Sequence, residues 1–175
     1  MRTLMLLRHA KAVPADAKTR DRDRALDSRG QQDAPKIGAY MALHRLLPAK
    51  ALVSTARRTR ETWTLAAQAF AAPPPASYED RIYDAGPQTI LDLIQEEDAA
   101  SRSLLVLGHN PTLHHVAVGL IAAGDLAARE QLREALPTSG LVTIEFAFDS
   151  WAKLHLQGGR LSHFVTPRSL ESATD

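Results

Sequence analysis

TLMLLRHAK, residues 3–11, decides how the rest of the chain is read. A short apolar run bounded by charged residues is the pattern of a strand buried on both faces, and such strands belong to parallel sheets covered by helices. This one stops at Arg8 and His9. If the two side chains merely end a strand, the remaining sequence owes them nothing. If they hold an anion, other strand ends must deliver donors of the same kind.

Working outward, strand-like runs follow at residues 51–54, 104–107, 141–148 and 160–165, and helical patterns lie between most of them. That alternation is the signature of an α/β fold with a mainly parallel sheet. A first helix is expected near Ser28, which forms a capping-box pattern with Gln31, and Pro35 predicts a kink or a late start. A second helix carries Trp63, Ala66, Ala67 and Phe70 on one face and ends before the prolines at 73–75. A third begins at Pro87 and buries Ile90, Leu91 and Ile94. A fourth buries Leu113, Val116, Ala117, Leu120 and Ile121 and stops at Gly124. The last two strands read as a hairpin-like pair around Gly158 and Gly159, with Trp151 packed beneath it. The patch at 71–76, AAPPPA, is a loop, and residues 168–175 read as a polar tail. No internal repeat appears, so residues 1–175 read as one domain.

Composition narrows the functions. Twenty-one Lys and Arg against twenty Asp and Glu give a net charge of +1, too little to hold nucleic acid or an acidic membrane by bulk electrostatics. With no cysteine, thiolate catalysis, disulfides and Cys-ligated zinc are excluded. No apolar run approaches a membrane span, and the run at 3–7 is too short for a signal-peptide core. A cytoplasmic protein without nucleic-acid or membrane partners is the expectation. Oligomeric state is left open.

Three strand-to-helix junctions carry the chemistry. The first holds Arg8 and His9. The second, LVSTARRTRETW, places Arg57, Arg58 and Arg60 in the first turn of a helix. Cations there oppose the helix dipole unless an anion is bound nearby. The third, LLVLGHNPTL, holds His109, with Asn110 as an expected N-cap and Pro111 as a first helical residue. In an open parallel sheet, ligands bind beyond the carboxyl ends of the strands, where all three junctions fall. Arginines and histidines converging there describe a phosphate pocket, in which a neutral imidazole can serve as nucleophile.

These segments resemble the histidine phosphatase (phosphoglycerate-mutase-like) superfamily. LLRHAK is similar to its RHG signature with Ala10 in place of glycine; Ser54, Arg58 and Thr62 match its SxxxRxxxT segment. VLGHNPTL, DRDRALDSRG and FVTPRSL resemble the small SixA-type phosphohistidine phosphatases, with Ala25 where proline is usual. The resemblance implies a three-layer α/β/α sandwich. It also implies a metal-independent, cofactor-free hydrolase in which His9 is the nucleophile. Arg8, Arg58 and His109 would bind the phosphoryl oxygens, assisted on the substrate side by Asn110 and Arg24. The expected substrate is a phosphorylated protein carrying phosphohistidine. A small phosphorylated molecule, or a silent phospho-ligand binding role, is the alternative.

Larger relatives carry a glutamate as general acid. Here Glu79, Asp80 and Asp84 lie in the corresponding region without the usual context, and Asp21 could swing in. A leaving imidazole, with an ordinary pKa of about 6.5, needs less help than an alkoxide, which favours phosphohistidine. The remaining candidates read more plainly. Arg57 and Arg60 face solvent, and the charged run at 18–29 is a solvated loop. His114 and His115 lack the nearby carboxylate a metal site needs. His44, His155 and His163 receive no role, and Trp63 and Phe70 belong to the core.

Overall fold

The computed structural model describes residues 1–173. The first strand, β1 (Arg2–Arg8), sends Leu4 and Leu6 to one face and Met5 and Leu7 to the other, and all four are buried. The next strands in the chain are β2 (Lys50–Ser54), β3 (Ala76–Glu79), β4 (Ser103–Gly108) and β5 (Ile121–Ala123). They are followed by β6 (Leu141–Phe146) and β7 (Gly159–Val165). Together they form one sheet in the order β3-β2-β4-β1-β6-β7-β5. The pairs β1/β4, β2/β4, β2/β3 and β5/β7 are parallel, whereas β1/β6 and β6/β7 are antiparallel. The fold is therefore α/β with a mainly parallel sheet.

Helices cover both faces because each has an apolar stripe to bury. On the Met5 and Leu7 face lie α1 (Ser28–Leu43) and α2 (Arg57–Ala67), contributing Ile37, Met41, Trp63 and Ala67 to the core. On the Leu4 and Leu6 face lie α3 (Pro87–Gln95), α4 (Thr112–Leu120) and α5 (Leu126–Glu134), through Ile90, Leu113, Leu120 and Leu132. The result is a three-layer α/β/α sandwich. Among the described residues no helix is long and apolar enough to cross a membrane.

Several local expectations are corrected. The cap of α1 is Asp27, whose carboxylate accepts from Gly30 N at 2.8 Å; Ser28 is already helical. An extended Asp27 puts a negative group at the positive end of the dipole, which a Ser28 cap would not do. The helix does not start late: it runs from Ser28 with Pro35 inside it. Residue 121 leaves helical geometry because 121–123 pair with β7 as a short strand, so α4 ends at Leu120. The edge strand β3, directly after the proline loop, was not expected. Strands β6 and β7 are antiparallel, but residues 147–158 join them through a 3-10 turn at Trp151–Lys153, so they are not a tight hairpin. Trp151 is fully buried and its indole N–H donates to the Ser101 carbonyl at 2.6 Å.

The polar tail is a helix for most of its length. Thr166 and Ser169 cap each other reciprocally at the start of α6 (Pro167–Ser172), and Leu170 packs against the α1 side of the core. Residues 174 and 175 lie outside the described part. The charged run at 18–29 departs in part from a solvated loop: a 3-10 turn at Asp21–Asp23 sets Asp21, still half exposed, and Arg24 on the walls of cavities beside Arg58.

Two glycines on α1 allow close approaches. A Cβ at Gly30 would overlap the Lys11 carbonyl, and one at Gly38 would overlap the Ala66 carbonyl. The helix is thereby seated at once on the segment after His9 and on the far end of α2.

Candidate active site

Parallel pairing of β1, β2 and β4 puts their carboxyl ends side by side, and the chain delivers a polar group at each. Arg8 closes β1 and His9 follows it, with His9 N donating to the Gly108 carbonyl at the end of β4 at 3.1 Å. Arg58 is the second residue of α2, and His109 follows β4. The rings of His9 and His109 lie 5.4 Å apart. Ala10 N donates to Thr62 Oγ1 at 2.9 Å, and that hydroxyl donates to the Arg58 carbonyl at 2.7 Å. Thr62 thus ties the His9 loop to the helix that carries Arg58.

Burial and neighbouring cations keep both histidines neutral. His9 is 8% exposed. Its pKa falls to about 3, chiefly through burial, with His109, Arg58 and Arg8 adding to the effect against the opposing Ala10 hydrogen bond. Its Nδ1 lies 2.7 Å from the Ala10 carbonyl, which can only accept, so Nδ1 carries the proton and Nε2 keeps a free lone pair. His109 is lowered to about 4, by burial first and then by Arg58. The Arg8 guanidinium is also lowered, by burial and by Arg58. A guanidinium disfavoured both by burial and by a second cation marks a place suited to negative charge.

Asp21 partly supplies that charge. Arg58 Nη1 donates to the Asp21 carbonyl at 2.8 Å and Nη2 to its carboxylate at 3.1 Å. Tyr83 OH donates to Asp21 Oδ2 at 2.6 Å, and Arg24 Nε to Oδ1 at 3.0 Å. The Tyr83 hydroxyl, followed by the Arg58 charge, pulls the Asp21 carboxyl down to about 2. Two cavities flank this cluster, of ≈ 290 Å³ and ≈ 420 Å³, and both are lined by Arg58, His109 and Asn110. Arg8, His9 and Arg24 line the smaller; Asp21, Tyr83 and Asp84 line the larger.

The other expected residues divide. Asn110 sits at the site but does not cap α4; its side-chain N–H donates to the Leu136 carbonyl at 2.8 Å, which Arg8 also reaches at 3.1 Å. Committed to that carbonyl, Asn110 acts as a wall and leaves Oδ1 buried without a partner among the described residues. Glu79 is 3.6 Å from Arg81, and Asp80 is held by Thr55 and Arg22. Asp84 lines the larger cavity with φ at 55°. Arg57 pairs with Glu61 at 2.7 Å and Arg60 lies over Tyr78, both in a separate groove. His114 Nε2 is 2.6 Å from the Leu132 carbonyl. Among the described residues no cluster of histidines and carboxylates could hold a metal. Sequence reasoning missed Tyr83 and underused Asp21; an isolated Tyr in a loop gives no spacing signal, whereas the Asp21–Arg24 pair at i and i+3 did.

A buried neutral imidazole, flanking guanidiniums and a strand-end pocket on an α/β fold make a site whose chemistry suits a phosphoryl group. No family model matches the chain. It is 35% identical over 164 residues to an uncharacterized protein of Mycobacterium tuberculosis, covering 93% of this chain and all of that one. A structure from Agrobacterium tumefaciens assigned as phosphohistidine phosphatase SixA is 31% identical, covers 95% of this chain and 98% of its own, and superposes with a TM-score of 0.78. A Nakamurella structure with the same assignment is 29% identical, covers 95% and 96%, and has a TM-score of 0.81. The chain belongs to the histidine phosphatase superfamily, and it resembles the small SixA-type members over nearly its whole length.

Proposed function

We propose that this chain is a phosphatase acting through a phosphohistidine intermediate and that its substrate is phosphohistidine on a protein. His9 Nε2 attacks phosphorus while the bond to the leaving nitrogen breaks. Arg8, Arg58 and His109 hold the non-bridging oxygens as charge shifts onto them, which is the main demand of phosphoryl transfer. The Nδ1–H donation to Ala10 steadies the imidazolium character that develops on His9. Water then attacks the phospho-His9 phosphorus, releasing phosphate and restoring neutral His9.

One observation carries the substrate class. Asp21, the carboxylate the site's arginines surround, is held near 2 and has no proton to give at neutral pH. Glu79 and Asp80 are occupied by cations away from the cluster. An alkoxide leaving group needs a proton donor worth about 10²–10⁴-fold in rate, and a leaving imidazole largely escapes that demand. Similarity to SixA-type structures supports the same reading.

A second reading has one observation in its favour: Asp84 lines the larger cavity, and among the described residues none forms a hydrogen bond or ion pair with its carboxylate. It could serve as the acid of a small-molecule phosphomonoesterase. A substrate panel separates the two. We expect kcat/KM for a phosphohistidine peptide or phosphoramidate to exceed that for an alkyl phosphate by about 10²–10⁴-fold, with p-nitrophenyl phosphate between. Asp84→Asn should leave phosphohistidine turnover nearly unchanged. An alkyl phosphate as best substrate, with turnover collapsing in Asp84→Asn, would establish the phosphomonoesterase instead.

A further inference from the structure

Ser54, the last residue of β2, is completely buried, and its Oγ lies 2.7 Å from His109 Nε2. The same oxygen accepts the Ala56 N–H at 3.3 Å. Around it the backbone is pinned, because Thr59 Oγ1 sits 2.7 Å from both the Ser54 and the Ala56 carbonyls. The hydroxyl is therefore held in one place, and its proton has a choice to make.

His109 is neutral, so exactly one ring nitrogen carries hydrogen. Suppose that nitrogen is Nε2. Ser54 Oγ would then receive two N–H groups, its own proton would face no acceptor, and the Nδ1 lone pair would be buried without a donor. Suppose instead that Nδ1 carries it. Ser54 Oγ accepts from Ala56 N and donates to Nε2, and every polar group of the Ala56–Ser54–His109 relay is satisfied except Nδ1–H. That nitrogen is indeed buried with no partner among the described residues. Buried polar groups left unpaired in a native site need a reason, and a ligand is the simplest. The His109 ring lines both cavities, and its centre is 5.4 Å from that of the His9 ring. A phosphoryl oxygen bound at His9 is an acceptor of the kind Nδ1–H lacks.

We infer that Ser54 is a positioning residue: by donating to Nε2 it holds neutral His109 in the Nδ1–H form and makes it a hydrogen-bond donor to the phosphoryl group. The inference rests on the reading that the phosphoryl group sits between His9 and His109. It assigns Ser54 no contact with substrate. It also explains how a histidine that stays uncharged near neutral pH can still stabilise an anion: the serine selects which nitrogen bears the hydrogen.

The test is a long-range ¹H–¹⁵N spectrum of ¹⁵N-histidine-labelled protein near pH 7.5, with the His109 signals identified by their loss in His109→Gln. The wild type should show His109 with a protonated Nδ1 and an unprotonated Nε2. Ser54→Ala should move it toward the Nε2–H form and lower kcat by about 10²-fold, the scale of a lost transition-state donor, with KM changed far less. Ser54→Thr, which keeps the hydroxyl, should restore both the spectrum and the rate. A wild-type His109 protonated on Nε2 overturns the inference without any variant having to fold, and so does a Ser54→Ala spectrum identical to wild type. If the spectra come out as expected while the wild type turns over no phosphorylated substrate, the functional reading fails and the serine's control of the tautomer stands.

Discussion

Lowering the pH from 7.5 to 5.5 should destabilise this protein, and the two site histidines should account for most of the loss. Both have folded-state pKa values depressed below the ordinary 6.5, to about 3 for His9 and about 4 for His109. The unfolded chain therefore binds more protons than the folded one throughout this window. Stability is full above about 6.5 and falls as pH drops below it. At pH 5.5 each histidine is protonated in the unfolded state and not in the folded one. That costs about 1.4 kcal/mol each, or about 3 kcal/mol for the pair. In a chain of this length that corresponds to a drop in Tm on the order of 6–12 °C. Asp21 stays ionised at both pH values and contributes nothing to the difference. His163, lowered mainly by burial, adds a smaller contribution of the same sign. Urea unfolding at the two pH values gives the wild-type difference. His9→Asn and His109→Asn should each shrink it by about 1.4 kcal/mol, whatever they do to stability at pH 7.5. A flat profile, or variants with an undiminished difference, would refute the claim that burial keeps these imidazoles neutral.

His9→Ala should fold and lose turnover, and rapid quenching of the wild type with labelled substrate should place an acid-labile, base-stable phosphate on His9; label on a serine would exclude His9 as nucleophile. Vanadate or tungstate should inhibit competitively and raise the stability by about 2.7 kcal/mol at a hundred times its Kd, as read by thermal melts; Arg58→Ala should abolish the shift. Arg57→Ala and Arg60→Ala should change kcat by less than about twofold, because both side chains project into the separate groove and surface changes of this kind rarely matter. A large kcat loss in either would move the phosphate pocket away from Arg58.

The strands at 3–7, 51–54 and 104–107 were legible because burial on both faces of a parallel sheet leaves an unbroken apolar run. The same logic failed at the sheet's margins. Ala76–Glu79 is only partly buried, so Ser77 and Glu79 break the pattern, and 121–123 continues the apolar spacing of α4 until pairing with β7 intervenes. Arg8, His9, Arg58 and His109 could be brought together from sequence because each stands beside the end of a recognisable strand. Tyr83 and Leu136 could not. One acts through a hydroxyl delivered by an irregular loop, and the other through a backbone carbonyl, which any residue supplies. The expected Asn110 cap failed for a related reason, since its amide answers that distant carbonyl rather than its own helix.

Replacing helical glycines by alanine is a standard route to a sturdier protein, worth about 0.4–1 kcal/mol where the backbone accepts it. In α1 the route is closed. Gly30 and Gly38 are the places where this helix lies flush against the Lys11 and Ala66 backbones. Lys11 is two residues from His9, and Ala66 belongs to the helix that carries Arg58. A methyl group at either position would act as a shim, driving apart two surfaces whose spacing sets where His9 stands relative to its guanidinium. Attempts to engineer heat resistance into this fold should therefore leave α1 alone and work on its outer helices, where extra bulk moves nothing that reacts.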